Sequence, residues 1–406
     1  MKHLCLILLL LCWFQNVAQT PQEVFDKSLI RYKAKDYTGA ISDFSGLLLS
    51  NPGFVQAYRY RGQSYMALNK YDEALADFTQ LIRSDSTQSL AYYLRATAFQ
   101  GQNNATEALK DLSRAVSLKP DYVDALILRG KIRITTGDFK GSLEDFNKVD
   151  ALGKSTAEVY HSRAVAKRNL KDFEGGVVDC EKAIMMNEDE PEYYADRALA
   201  YQGLKEYQNA LANFTSAINK KPEEARYYYF RGICRFDMKD MEGSVKDFDY
   251  AIQLDPSNAD YYSRRGISKI QYRDNNGALA DFSSAIQYEP GKAMHYFYRG
   301  VVKSALKQIN ESIVDYNKAI ELDSTVMHFY YYRGLSYHAA EDFESAVADF
   351  SKAIARDSMN AQAYERRAIS EIKLGRLDEA CADLKQAELL GSKDAKDQIQ
   401  RLCTGN

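Results

Sequence analysis

Ten arginines in this sequence follow one another at intervals of 34 residues: Arg61, Arg95, Arg129, Arg163, Arg197, Arg231, Arg265, Arg299, Arg333 and Arg367. Sixteen residues after nine of them stands an aspartate, as in Arg61 with Asp77, Arg265 with Asp281 and Arg333 with Asp349; Asn213 answers Arg197 instead. A guanidinium and a carboxylate at one height in a helical hairpin make a two-pronged, charge-assisted pair. The spacing therefore points to a ladder of structural ion pairs. The competing reading is a basic groove for an anionic ligand, and the matching carboxylates weigh against it.

Other reactive side chains are sparse. Beyond the first nineteen residues the histidines are His161, His295, His328 and His338. His328 and His338 are too far apart on one helix to share a metal, and these side chains read as solvated groove residues. No CxxC pair or Cys/His cluster is present, so the sequence offers no metal site and implies no cofactor. The glycines fall at fixed repeat positions, not in a phosphate-cradling loop. No free acid/base dyad stands apart from the ladder, and the chain is not expected to be an enzyme.

The elements that position these groups follow from the same period. Units of 34 residues begin at 21, 55, 89, 123, 157, 191, 225, 259, 293, 327 and 361, giving eleven gapless units over 20–394. Position 4 is Tyr in nine units, position 8 is Gly or Ala in ten, and position 20 is always small. Position 24 is aromatic in eight units, position 27 is Ala in eight, and position 32 is Pro in five. The spacings 4-8-11 and 20-24-27 are helical, so each unit holds two helices with a turn near position 15. Small residues at 8 and 20 let the two backbones approach, and larger ones fill the space between. Proline at 32 redirects the chain into the next unit.

This pattern resembles the tetratricopeptide repeat, with Tyr where the family commonly has Trp at position 4 and Arg where it has an apolar residue at position 7. The resemblance implies an all-α fold, a right-handed superhelical solenoid of eleven antiparallel helix pairs. It further implies that first helices line a concave face through positions 2, 5, 9 and 12. Carried onto this sequence, that face is mixed early, with Arg59, Gln63, Tyr93, Lys131, His161, Arg168 and Gln202. It turns apolar in units seven to ten, with Tyr229, Ile233, Phe236, Ile267, Ile270, Phe297, Val301, Tyr331 and Leu335. Such a stripe is either a partner-binding groove or a set of residues packed on their neighbours. The Lys, Asn and Arg set with which some family members hold a chaperone's C-terminal carboxylate is not found on three adjacent units.

The two ends add a compartment. Met1-Lys2-His3, the apolar run Leu4–Phe14 and Asn16-Val17-Ala18-Gln19 read as a signal peptide over 1–19, cleaved after Ala18 or Gln19. An uncleaved anchor, or a lipoprotein through Cys12, are the alternatives. Removing the leader takes away Lys2 and no acid, leaving 52 basic and 56 acidic side chains. That balance gives no footprint for nucleic acid, and the mature chain shows no integral membrane span. Thr20-Pro21-Gln22-Glu23 reads as a capping box opening the first helix. At the far end, Ser392 to Leu402 reads as an extra amphipathic helix covering the last unit, with 395–406 set apart as the C-terminal capping helix. Cys381 and Cys403 lie level across the turn at Gly391, either joined as a disulfide or left as two buried thiols. The tail also resembles that of exported bacterial tetratricopeptide proteins. The expectation is an exported scaffold or adaptor of the periplasm, cell surface or extracellular space, holding a peptide segment or helix of a partner protein. A holdase for unfolded exported chains is the alternative, and the oligomeric state is left open.

Overall fold

The computed structural model describes residues 19–403, so the leader assigned to 1–19 lies outside the described residues apart from Gln19. Twenty-three α-helices and no strand occur among the described residues. They fall into two bodies that divide between Asp189 and Glu190. The first holds five helix pairs, from Pro21–Lys33 with Tyr37–Ser50 to Ala157–Asn169 with Phe173–Met186. The second holds six, from Pro191–Gly203 with Tyr207–Lys220 to Ala361–Lys373 with Leu377–Leu389, and ends in Lys393–Leu402.

Every first helix covers positions 1–13 of its unit and every second helix starts at position 17. The turn between them is fixed by position 15, which has positive φ in all eleven units, from Asn69 at 56° to Gly137 at 82°. Nine of these residues carry a side chain. What holds them left-handed is the hydrogen bonding around them: Asp36 N–H reaches the Arg31 carbonyl at 3.0 Å and Lys35 N–H the Tyr32 carbonyl at 3.0 Å. These bonds satisfy carbonyls that the helix end would otherwise leave open. The following residue caps the second helix. Asp36, Asp138, Asp172, Asp240 and Asp274 accept from the N–H of a glycine three residues on, at 2.9–3.0 Å. The first helix opens on the Thr20–Glu23 capping box.

Inside each hairpin, position 8 and position 24 are matched in size. Gly62, Gly130, Gly232, Gly266, Gly300 and Gly334 face the rings of Phe78, Phe146, Phe248, Phe282, Tyr316 and Phe350. A Cβ added at Gly62 would stand 2.6 Å from Phe78, so the ring fits only because the glycine has none. Where position 8 is Ala96, Ala164 or Ala368, position 24 shrinks to Leu112, Cys180 or Leu384. Ala198 opposite Phe214 is the exception, with the ring fully buried all the same. Close-packed interiors feel a single methylene, which is the reason for the matching.

Successive units also meet through position 20 and position 10 of the next. Ser244 and Ser268 share a buried hydrogen bond of 3.0 Å, and Ser312 and Ser336 one of 2.9 Å. Ser142 has Ala166 at the corresponding place, and its hydroxyl is buried without a partner. At the C-terminal end, Ala395 and Ile399 of the last helix pack on Ala368, Ala380, Leu384 and Ala387. Cys381 and Cys403 are joined there, with Cα atoms 5.7 Å apart.

Candidate functional site

The periodic arginines are spent on structure. Arg61 donates from Nε and Nη2 to the two carboxylate oxygens of Asp77 at 2.9 and 2.7 Å. Arg265 reaches Asp281 at 2.5–3.2 Å, and Arg333 reaches Asp349 at 2.6 and 2.7 Å. The aspartates are almost wholly buried, at 2–3% exposure for Asp77, Asp281 and Asp349. Burial pushes the Asp77 carboxyl above its usual range, and the hydrogen bonds and charge of Arg61 pull against it. The tyrosine at position 4 stacks on the same guanidinium, as Tyr262 does on Arg265 at 5.6 Å.

Two parts of this arrangement lie outside the pairing of positions 7 and 23. The third prong, Nη1, crosses to position 25 of the preceding unit: Arg61 to Ser45 at 3.1 Å, Arg265 to Asp249 at 2.6 Å, Arg333 to Asn317 at 2.6 Å. The ladder therefore ties units together as well as closing each hairpin. The available signal was a hydrogen-bonding residue directly after the ring at position 24 in most units, as in Phe44-Ser45 and Phe248-Asp249. Position 11 supplies a second cation to the same carboxylate: Arg133 to Asp145, Lys167 to Asp179, Arg235 to Asp247, Lys269 to Asp281 and Lys303 to Asp315, at 2.7–3.0 Å. In unit one, where position 7 is Lys27, Arg31 at position 11 reaches Asp43 at 3.3 Å.

In the apolar stripe of units seven to ten, Phe297 is buried and the other eight residues are half-buried. Phe297 is a correction to the expected groove. It is only 7% exposed, enclosed by Tyr298, Tyr316, Phe329 and Tyr332 with ring centroids 5.2–6.0 Å away. Rings at positions 3 and 6 of neighbouring first helices close over position 5, which single-face spacing does not foresee. Tyr229 is half-buried against Phe230, Phe248 and Tyr261. Tyr331 is likewise packed on Tyr332 and Phe350. Val301 lies against the Phe297 cluster and Ile270 against that of Phe282, while Leu335 is half-buried.

Ile233, Phe236 and Ile267 do share an open feature. Together with Phe248 and Ser268 they line a cleft of about 60 Å³ between the first helices Ala225–Asp237 and Ala259–Gln271. Asp237 and Arg264, both exposed, stand at its rim. An apolar floor with one charge of each sign at the edge suits a single apolar side chain whose backbone lies across the rim.

The histidines do not share one environment. His295 corrects the expectation of solvated groove residues: it is fully buried, with Nε2 3.2 Å from a Glu289 carboxylate oxygen, and burial lowers its pKa. His338 Nδ1 lies 2.9 Å from Ser370 Oγ and its ring rests on Phe343, while His328 is exposed. Cys180 and Cys234 are buried thiols, and burial raises that of Cys234 to about 11. Among the described residues no group of three or more His, Cys, Asp or Glu side chains is arranged to hold a metal ion. No helix among them is long and apolar enough to cross a membrane.

Stacked helical hairpins closed by internal ion pairs, with one apolar cleft on the first helices, define an all-α repeat protein. The chain belongs to the tetratricopeptide repeat family. One tetratricopeptide repeat model matches residues 25–89, 93–155, 195–259 and 331–395, and a second matches 296–325. Proteins of this family are typically non-catalytic scaffolds that bind other proteins. Solved structures similar in fold include the C-terminal part of a repeat protein from Cytophaga hutchinsonii, 15% identical over 59% of this chain and 98% of that one, TM-score 0.50. A tetratricopeptide repeat protein from Parabacteroides merdae is 19% identical over 61% and 98%, TM-score 0.49. Yeast Tom70 is 16% identical over 93% of both chains, TM-score 0.44. No curated protein matches the sequence.

Proposed function

We propose that this protein is a non-catalytic adaptor, exported from the cytoplasm, that holds an extended segment or helix of a partner protein on the first helices of units seven to ten. The cleft between Ile233, Phe236 and Ile267 carries the reading, because three residues of the apolar stripe line it together. Exposed apolar surface beside a small pocket is where interface hot spots concentrate. Membership of a family of protein-binding scaffolds supports the class. The leader-like residues 1–19 and the Cys381–Cys403 bond support an oxidising compartment outside the cytoplasm.

Crosslinking mass spectrometry in the native compartment tests it, comparing the unaltered protein with Phe236→Ser plus Ile267→Ser. Thermal unfolding of the purified variant establishes that it is folded. Loss of one stoichiometric partner is the expected result. An unchanged partner set would remove the cleft from the binding surface, and a broad spread of clients would replace the adaptor with a holdase.

A further inference from the structure

Ser86, Ser324 and Ser358 hold one place in three units: position 32, between an aspartate at 31 and Thr87, Thr325 or Met359 at 33. Proline takes that place in five other units. These residues make the turn that leads from one unit into the next. In each, the aspartate Oδ1 accepts from the N–H two residues on. Asp85 accepts from Thr87 at 2.9 Å, Asp323 from Thr325 at 2.9 Å and Asp357 from Met359 at 3.1 Å. The hydroxyls of Thr87 and Thr325 are spent on the same oxygens, at 2.6 Å each. The threonine hydroxyl first, and then its N–H, hold the Asp85 and Asp323 carboxyls below their usual range.

The serine between them takes no part in the turn. Asp255 accepts from Ser257 N–H at 3.2 Å and from its hydroxyl at 2.8 Å around Pro256. Asn187 accepts from Asp189 N–H at 3.2 Å around Glu188. The turn thus forms with Pro or Glu in the middle, and Pro stabilises it further by stiffening the unfolded chain. Three units nevertheless carry a serine that is exposed and whose hydroxyl bonds to nothing among the described residues. At Ser324 the bonds from Arg356 and Tyr330 go to the backbone carbonyl. A turn serine ordinarily spends its hydroxyl on the nearby backbone, and these three hold theirs out to solvent.

We propose that Ser86, Ser324 and Ser358 are acceptor sites for an O-linked glycan, added by a transferase that reads the Asp-Ser-Thr or Asp-Ser-Met turn. The serine Oγ attacks the anomeric carbon of a sugar carried on a polyprenyl diphosphate. A glycosidic C–O bond forms, the bond from that carbon to the diphosphate oxygen breaks, and the diphosphate leaves with the electron pair. The hydroxyl proton passes to a base of the transferase. Because the serine sits at an exposed turn, a bulky hydrophilic group is accommodated there. A phosphate fits less well, since its double charge would stand beside an ionised aspartate. Its nucleotide donor also belongs to the cytoplasm, so this argument rests on the export proposed above.

Intact-mass measurement of the full protein purified from its native cell envelope tests this. The unaltered chain is compared with Ser86→Ala, Ser324→Ala and Ser358→Ala, singly and together, with thermal unfolding establishing that each is folded. The leader-free unaltered chain is expected to exceed its sequence mass by one sugar increment for each serine. Each single substitution should remove one increment, and the triple substitution all of them. Dilute alkali, which eliminates O-linked sugar from serine, should strip the same mass. Ser257→Ala, exposed in the like turn around Pro256, should keep every increment. An excess matching phosphate, an excess that survives the triple substitution, or a leader-free chain at its bare sequence mass would each overturn the proposal. A chain that keeps its leader and carries no sugar would overturn the export reading, and this inference with it.

Discussion

The rungs of units eight and eleven are built from the same parts except at position 11. In unit eight, Asp281 sits between two cations, Arg265 and Lys269. In unit eleven, Arg367 holds Asp383 at 2.6 Å, but the second place is taken by Glu371. That glutamate is 6% exposed, one of its oxygens has no partner, and Arg367 is 3.9 Å from the other. Burial and the neighbouring Asp383 raise its pKa to about 7, Glu379 adds to the rise, and Arg367 and Arg376 oppose it. At positions 7, 11 and 23, one rung thus has positive charge to spare and the other negative, with Asp249 of the preceding unit also answering Arg265. The surplus matters in opposite directions, since a buried charge is tolerable only while it is answered.

The largest effect expected is at the interior rung. Asp281→Ala strands Lys269, leaves Arg265 with Asp249 alone, and should cost about 3–5 kcal/mol in urea unfolding. Replacing Arg265 by Met and Asp281 by Leu together should cost less, because no buried carboxylate or ring-stacked guanidinium is left uncompensated. Asp383→Ala should also cost less than Asp281→Ala, since Glu371 can take over Arg367. Equal losses at Asp281 and Asp383 would break the comparison.

The terminal unit is held in a second way. Opening the 22-residue separation closed by the Cys381–Cys403 bond, through Cys381→Ser with Cys403→Ser, should cost about 3 kcal/mol by chain entropy. Thiol labelling with intact-mass analysis of the exported protein should find both cysteines protected. Two free thiols would leave the last helix held by packing alone.

The sign of the pH effect follows from Glu371. Its folded pKa lies above the unfolded value of about 4.3, so its stabilising contribution is complete below pH ~4.3 and fades as pH rises towards 7. The stability of the C-terminal region should fall by on the order of 2 kcal/mol across that window. Glu371→Gln should flatten the profile, and Glu371→Lys should make rung eleven behave like rung eight. A profile unchanged in Glu371→Gln would place the titration elsewhere.

The smallest effect sharpens the interior half of the contrast. Tyr316 occupies the ring position of unit nine, fully buried, and its hydroxyl has no partner. Phe282 and Phe350 fill the same position in the adjoining units. Tyr316→Phe is expected to stabilise by about 1 kcal/mol in thermal unfolding. A loss would reveal an acceptor for that hydroxyl.

Much of the fold was legible because a hairpin brings together residues equally far from its turn. Arg265 and Asp281 lie eight residues either side of position 15, so their meeting depends on one local geometry repeated eleven times. The backbone at that position shows the limit of residue-type reasoning. Lys239 and Arg273 adopt the left-handed turn that glycine would have announced, because the flanking hydrogen bonds leave no alternative. The candidate site was less legible. Phe297 and Ile267 look alike on a helical stripe, and only neighbouring helices decide that one is enclosed and the other half-buried at the edge of a cleft.

By itself, then, the sequence determined the period, the helix pairs, the size matching of Gly266 with Phe282, and the charge opposite nine of the ten periodic arginines. These are contacts within a unit, set by spacing along the chain. The tertiary structure decided what lies between units: the reach of Arg265 to Asp249 and the orphaned Ser142 beside Ala166. Those depend on how one hairpin sits against the next, and that placement is a compromise among all the side chains at the interface rather than a property of any one position.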